Sequence, residues 1–566
     1  MNERMNHSPH RKAIQTIIVT LLPSLVIVAV AAGCSTAAPP EVVEKPMVQT
    51  VIVEKEKVIT ATPEPKDTSK FGGTLVIQTG GLVQFDPIFV ADDSSFHVVS
   101  NVYSLLFRRQ GPELIPDLAT SWEYEDDTTI IFHLRKGVMW HDDNAVFPKG
   151  ASREVVAHDV VYSINRAVET EGNTTSADFV ASYESVEALD DYRVRLTLKA
   201  PNALLFTLGR GLSGMAIVPR EAVEQLSEDF ALNPIGSGPF KFVEYRPDES
   251  LTLERNDLYW KKPYLDRVSY KVIPDKDAAV IALETGEVDI MGSVPNADFE
   301  RLNADNRFIL RPAGCPIMTQ LMFNMTNPLH GELKFRQAVA YALDGDAIDA
   351  NVYGGMHVSG CGTAGPGVPG YDPNLCKYFP YDPEGAKASL KELGWEDTDG
   401  DGVLDKDGEP MEFPLEIWSM SPMPQFGAAV ATQLREVGIP VELQTVEFGT
   451  WIADWNAGVD KAMIMSGWCG DGGMNGLWGG EGMARSMGYD DPEIFELLDK
   501  ANTIVDPAER DKTLREAANR IYSQYWAIPM GFHNSFQASR SWVHDYHGTL
   551  WFQNLCTERN NVWVTK

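Results

Sequence analysis

Basic residues are in short supply: 48 lysines and arginines stand against 80 aspartates and glutamates in 566 residues, a formal net charge of −32. A surface that grips phosphates must be locally basic, so this balance excludes nucleic acid as a partner class. It also repels an anionic lipid surface, so any hold on a membrane must come from something other than charge. Cysteine is scarce too, with six residues and no Cys-x-x-Cys pair, which leaves thiolate-zinc and thioredoxin-like readings without support. His-Glu-x-x-His, Gly-x-Ser-x-Gly and the phosphate-cradling Gly-x-x-x-x-Gly-Lys are all missing. An exported hydrolase would then depend on paired carboxylates, and acidic residues are too plentiful to single out a pair.

What is present begins with a leader. Arg11 and Lys12 precede an apolar run from Ile14 to Val30 that ends in Ala31-Ala32-Gly33-Cys34. A basic start, an apolar segment and small residues before a cut site are the parts of a secretory signal. A cysteine directly after the small residues resembles the bacterial lipobox, which implies that residues 1–33 are removed and Cys34 carries the lipid. Ala31 stands where that pattern usually has leucine. Two or more acyl chains, at about 0.8 kcal/mol per buried CH₂, anchor stably where one does not. Residues 34–70 hold many Pro, Thr, Glu and Lys and no aromatic residue, and so predict a flexible tether. Fully extended, such a leash reaches at most about 120 Å.

From Phe71 the chain alternates strand and helix signals and predicts a mixed α/β body without an internal repeat. "SWEYEDDTTIIFHLRKG" predicts a β-hairpin: Ile130, Phe132 and Leu134 share one face, and Glu125-Asp126-Asp127 supply the turn. "SVEALDDYRVRLTLKAPN" repeats the design, with Asp190-Asp191 at the turn and Val194, Leu196 and Leu198 on one face. Between them, "AHDVVYSINRAV" places Val160, Ile164, Ala167 and Val168 on one side of a helix.

Several blocks in order carry a resemblance. The first is "PDLATSWEYEDDTTIIFHLRKGVMWHDD", closed by Asp159-Val160; "IGSGPFKFVEYRPDESLTLERNDLYW", "AVIALETGEVDIM", "LKFRQAVAYALD" and "YDPEGAKASLKELGW" come after it. Together they resemble the family 5 extracellular solute-binding proteins of ABC importers, the dipeptide-, oligopeptide- and nickel-binding group. The resemblance implies a two-lobed, hinged α/β periplasmic-binding-protein fold of type II with an extra α/β subdomain. Lobe I would be 71–90, 205–312 and 530–566, the extra subdomain 91–204 and lobe II 313–529, with crossings near "RPAGCPIM" and "AIPMGFHNS". Trp122, Phe132, Leu134 and Trp140 read as core, since they alternate on expected strands.

"MIMSGWCGDGGMNGLWGG", residues 463–480, packs seven glycines, two tryptophans and a single carboxylate together. Each glycine costs a helix about 1 kcal/mol relative to alanine, so the stretch is expected to be a loop. In the peptide-binding members of the family, a Gly-Trp-x-x-Asp segment lines the cleft and its aspartate pairs with the ligand's α-ammonium. Gly467, Trp468, Cys469, Gly470 and Asp471 fill that form. Bare backbone can pair with an extended peptide strand-fashion, and one carboxylate fixes its register. Peptide binders tend to continue with Ala-Asp-Tyr and a later Asp-Pro, whereas this chain has Gly470-Asp471-Gly472-Gly473, so other polar solutes such as a metal chelate or an oligosaccharide stay open beside peptides.

"DTDGDGVLDKDG", residues 397–408, sets Asp397, Asp399, Asp401 and Asp405 at positions 1, 3, 5 and 9 of a calcium loop, with the Val403 carbonyl at position 7. Position 12 is Gly408, so Asp407 or Glu409 would have to substitute for the usual glutamate, and an acidic surface turn is the alternative. Cys361 and Cys376 bracket a Pro/Gly loop, either as a bridge, which an exported chain retains, or as two thiols. The expectation is a non-enzymatic monomer that needs no cofactor beyond a structural calcium. Lipid-anchored on the outer face of the cytoplasmic membrane, it would capture a peptide or other small polar solute for ABC permease subunits. A surface adhesion or sensory module on the same scaffold is the remaining option.

Overall fold

The computed structural model describes residues 68–110, 113–172, 177–206, 212, 215–467, 472–548 and 553–566. The leader, Cys34 and the tether as far as residue 67 lie outside the described residues; Thr68–Lys70, at the tether's end, form a 3-10 turn. No helix among the described residues is long and apolar enough to cross a membrane.

Strand β1 (Thr74–Thr79) buries Leu75 and Ile77 completely. After a two-stranded ribbon of Phe107–Gln110 and Glu113–Pro116, four strands form a separate antiparallel sheet in the order β2-β3-β5-β4: β2 (Ala119–Asp126), β3 (Thr129–Leu134), β4 (Tyr183–Asp190) and β5 (Arg193–Leu198). Val194, Leu196 and Leu198 alternate inward against Ile130 and Phe132, which have no exposed surface. Trp122 stacks on Phe206 with ring centres 5.8 Å apart and lies 5.5 Å from Phe107, and Trp140 is fully buried. Both hairpin turns sit one step later than the acidic runs suggest. The strands extend through Asp126 and Asp190, whose carboxylates accept the amide N–H groups of Thr128 and Tyr192, each at 2.8 Å. The side chains thus brace the turn from the strand end.

Helix α1 (Ala157–Glu169) covers this sheet. Its Asp159 accepts the Val156 N–H and both terminal nitrogens of Arg153, which also clamps Glu221. The charged insertion at 147–157 is therefore tied down rather than loose.

The chain then rejoins β1 with β6 (Phe240–Arg246), β7 (Ser250–Arg255), β8 (Arg267–Val272), β9 (Ile290–Met291) and β10 (Phe308–Pro312). Completed by β17 (Phe536–Arg540), the seven-stranded sheet runs β10-β17-β9-β1-β8-β7-β6. Gly236 and Gly238 before β6 permit a close approach: a Cβ on Gly238 would fall 2.7 Å from the Asn101 carbonyl oxygen.

The second large sheet takes β11 (Ile317–Met322), β12 (His357–Val358), β13 (Phe413–Trp418), β14 (Val441–Val446), β15 (Ala462–Gly467) and β16 (Ala527–His533), in the order β12-β16-β11-β15-β13-β14. Helices α2 (Pro383–Glu392), α3 (Met423–Glu436), α4 (Phe448–Ala457), α5 (Gly472–Trp478), α6 (Pro492–Thr503) and α7 (Pro507–Ser523) belong to the same stretch of chain. The chain passes between the two large sheets twice, at 313–316 and at 534–535, and the Ala313 N–H donates to the Ser535 carbonyl at 2.8 Å.

Helix α5 corrects the expectation that the glycine-rich stretch could not be helical. Gly472-Gly473-Met474-Asn475-Gly476-Leu477-Trp478 form a helix because Met474, Leu477 and Trp478 are no more than 1% exposed. Burying each such side chain contributes about 1.5–3 kcal/mol, which outweighs about 1 kcal/mol per glycine.

Candidate functional site

In the six-stranded sheet β13 runs parallel to both neighbours, β14 and β15. Open α/β sheets present their ligand sites beyond the carboxyl ends of parallel strands, where the connections leave the sheet together. Those ends are Trp418, Val446 and Gly467. The chain continues from them into Ser419–Pro422, into the start of α4 at Phe448, and into residues 468–471.

The edge is apolar and open. Trp418 meets Phe448 and Trp451 edge-on, with ring centres 5.7 and 4.8 Å away, while Phe448 lies parallel to Trp451 at 6.2 Å. Beside them Met420 is 62% exposed and Phe448 46% exposed. The residues from Ser419 to Gln425 and from Phe448 to Ile452 include no lysine or arginine. The sequence pattern did not single out Trp418, Met420 and Phe448; the signal that could have found them is a run of apolar residues at the end of a strand that proves to be parallel.

Gly467 closes β15 opposite Met318 of β11. Its φ of +151° suits glycine, and a Cβ there would meet no atom within 4 Å. Bare backbone therefore faces open space at the position where the family form begins. Trp468, Cys469, Gly470 and Asp471 lie outside the described residues. Below the edge, Glu416 of β13 is fully buried and paired with Lys461 at the start of β15. Burial raises its carboxyl pKa, and the Lys461 ammonium opposes that rise.

Cys361 and Cys376 are disulfide-bonded, with Cα atoms 5.2 Å apart. Cys315, just ahead of β11, is disulfide-bonded as well. Cys556 is free and buried; Cys34 and Cys469 lie outside the described residues.

In the acidic loop, oxygens of Asp397, Asp399 and Asp405 come within 4.8 Å of one another. The loop is wound by its own carboxylates: Asp397 accepts the N–H of Gly400 and of Gly402, Asp399 that of Asp401, and Asp401 that of Val403. Asp401 does not join the three-carboxylate group, and Gly408 offers no side chain at position 12. The three gathered carboxylates are the hard oxygen donors that calcium takes.

Residues 113–479 match the family model for bacterial extracellular solute-binding proteins, family 5 (middle region). The chain belongs to the family 5 bacterial extracellular solute-binding proteins. It is 30% identical over 411 residues to the oligopeptide-binding protein AppA of Bacillus subtilis, covering 70% of this chain and 74% of that protein. To heme-binding protein A of Haemophilus influenzae it is 27% identical over 507 residues, 83% of this chain and 89% of that one. Among solved structures, the ABC transporter-associated periplasmic binding protein DppA of Helicobacter pylori, in complex with the peptide STSA, superposes with a TM-score of 0.68. That match is 25% identical and covers 88% of this chain and all of the other. This family 5 protein accordingly has the two-lobed periplasmic-binding fold, and its two large sheets with their paired crossings are how the chain builds it.

Proposed function

We propose that this chain is the lipid-anchored, extracytoplasmic solute-binding component of an ABC importer. It would capture di- or oligopeptides between its lobes and deliver them to permease subunits without altering a bond in them. The observation that carries the reading is the open edge, free of lysine and arginine over Ser419–Gln425 and Phe448–Ile452, where Gly467 presents bare backbone on the same side of the sheet as Trp418, Met420 and Phe448. A binder of many peptides should grip what all peptides share, the main-chain amides and the terminal charge. Gly467 and Gly470 supply backbone for strand-like pairing, Trp468 and the aromatic edge supply flat walls for side chains, and Asp471 supplies the anion for the α-ammonium. Lobe closure lowers the effective dielectric around that pair and strengthens it.

Anchoring belongs to Cys34. Calcium held by Asp397, Asp399 and Asp405, with Asp401 and the Val403 carbonyl completing the set, would stiffen the connection between α2 and β13. The protein works as a monomer.

Heme-binding protein A, whose name records heme, favours a second reading in which the aromatic edge holds a non-peptide solute. The two are separated by incubating the full chain with a mixture of two- to five-residue peptides and, separately, with a panel of metal chelates, sugars and heme, then identifying what is retained by native mass spectrometry. Retention of peptides with mixed side chains is expected. Retention of a panel compound alone selects the second reading, and retention of nothing, with scattering unchanged by every compound, removes the importer reading altogether.

A further inference from the structure

The segment 468–471 is bounded on both sides by described structure, and the two boundaries refer back to one strand. At the front, Gly467 pairs with Met318 of β11, and the Ser466 and Thr319 hydroxyls lie 3.2 Å apart. At the rear, α5 begins directly after Asp471 and ends in Trp478, whose indole N–H donates to Thr363 Oγ1 at 2.9 Å. Thr363 and Tyr522 bring their hydroxyls to 2.8 Å, and the Tyr522 hydroxyl donates to Gln320 Oε1 at 2.9 Å. Gln320 is on β11, two residues from Met318.

Proton counting fixes the direction of this chain. An indole N–H can only donate, so Thr363 accepts from Trp478. The Tyr522 hydroxyl has one proton, spent on Gln320, so Thr363 must donate to Tyr522. Burial holds the Tyr522 hydroxyl well above the usual tyrosine range, so it keeps that proton. Thr363, Gln320, Trp478 and Tyr522 are all no more than 2% exposed, and removing one partner leaves the others without water to replace it.

Thr363 is itself held from two sides. It lies in the 361–376 loop closed by Cys361 and Cys376. In the same loop the Gly370 N–H donates to Asp511 of α7 at 2.7 Å, and a Cβ on Gly370 would come 3.1 Å from Met474 Cε of α5. The loop therefore touches α5 at both Thr363 and Gly370.

We propose that Thr363 is a positioning residue for ligand binding: through Trp478 it fixes α5 to β11, so that both ends of the segment carrying Asp471 are set by one strand. The inference rests on the peptide-binding reading and makes the disulfide-closed loop part of the binding apparatus, although it touches no ligand.

The test uses the full chain and the most enriched peptide from the two- to five-residue mixture. Thr363→Ser keeps both the acceptor and the donor, whereas Thr363→Val keeps the shape and has neither. Calorimetry is expected to give wild-type affinity for Thr363→Ser and a loss of about tenfold for Thr363→Val, mostly as faster dissociation, with both variants folded at the assay temperature. The double variant Cys361→Ser/Cys376→Ser is expected to lose about threefold. Wild-type affinity in Thr363→Val, whatever its melting temperature, overturns the proposal, as does an equal loss in Thr363→Ser. Should Thr363→Val not fold, the disulfide variant decides: unchanged affinity there overturns the proposal. A wild-type chain that retains no peptide instead overturns the reading beneath it.

Discussion

Apart from the two-residue β12, the four-stranded sheet and the six-stranded sheet are made of strands of similar length, yet one presents closed turns and the other an open edge. In the first, every neighbour is antiparallel. Short hairpins join β2 to β3 and β4 to β5, and each of these turns is braced by the aspartate before it. In the second, β14, β13 and β15 run parallel, so three chain segments leave the sheet on one side and cannot be tied off by a two-residue turn. Aromatic residues track the difference. Trp122 is wedged among Phe107 and Phe206, whereas Phe448 rests on Trp451 with its outer face in solvent. Direction of pairing, more than residue type, separates the closed sheet from the open one here.

The largest expected effect breaks the comparison at a carboxylate. Asp471→Ala should weaken peptide binding by about 2–5 kcal/mol, roughly 30- to 5,000-fold, as removal of one member of a desolvated ion pair does. The matched change at a hairpin turn, Asp126→Ala, should leave binding unaltered. Titration calorimetry measures both, and wild-type affinity in Asp471→Ala would remove that residue from the site.

A middle-sized effect compares the aromatics. Phe448→Ala should reduce affinity for peptides with apolar side chains by about two- to tenfold, the scale of one aromatic contact, with little change in melting temperature. Trp122→Ala should do the reverse, costing about 3 kcal/mol of stability through a cavity at unchanged affinity. Equal affinity losses in both variants would mean that the two sheets do not divide the work as described.

The smallest effect divides the six-stranded sheet against itself. The acidic loop leads into the amino end of β13, away from the edge. Millimolar calcium should raise the melting temperature by a few degrees, in line with about 2.7 kcal/mol at one hundred times the dissociation constant, and Asp397→Ala should abolish the rise. Peptide affinity should not move. A melting temperature indifferent to both calcium and chelator would mark the loop as a surface turn.

Much of the hairpin sheet was legible in the sequence because alternation at Val194, Leu196 and Leu198 encodes one buried face directly. The family register was legible because many blocks recur in order. The turn positions slipped by a residue, since Asp126 and Asp190 act from the strand and not within the turn. Helix α5 was illegible: glycine propensity argued against it, and the decisive term, burial of Met474, Leu477 and Trp478, comes from partners distant in sequence. For the same reason nothing near Thr363 announced its tie to Trp478, 115 positions away. The aromatic edge stayed hidden because its exposure depends on which strands run parallel, and single-strand patterns do not specify that.

The joint between the large sheets has mechanical consequences. Its two spans, 313–316 and 534–535, are short and bonded side by side through Ala313 and Ser535, which resists shear and leaves bending about their common line as the soft coordinate. On the importer reading proposed above, occupancy would thereby be converted into a single angle. A membrane partner would then not need to inspect the cargo; it would have only to feel how far the jaw is shut, so that one machine could accept many different passengers.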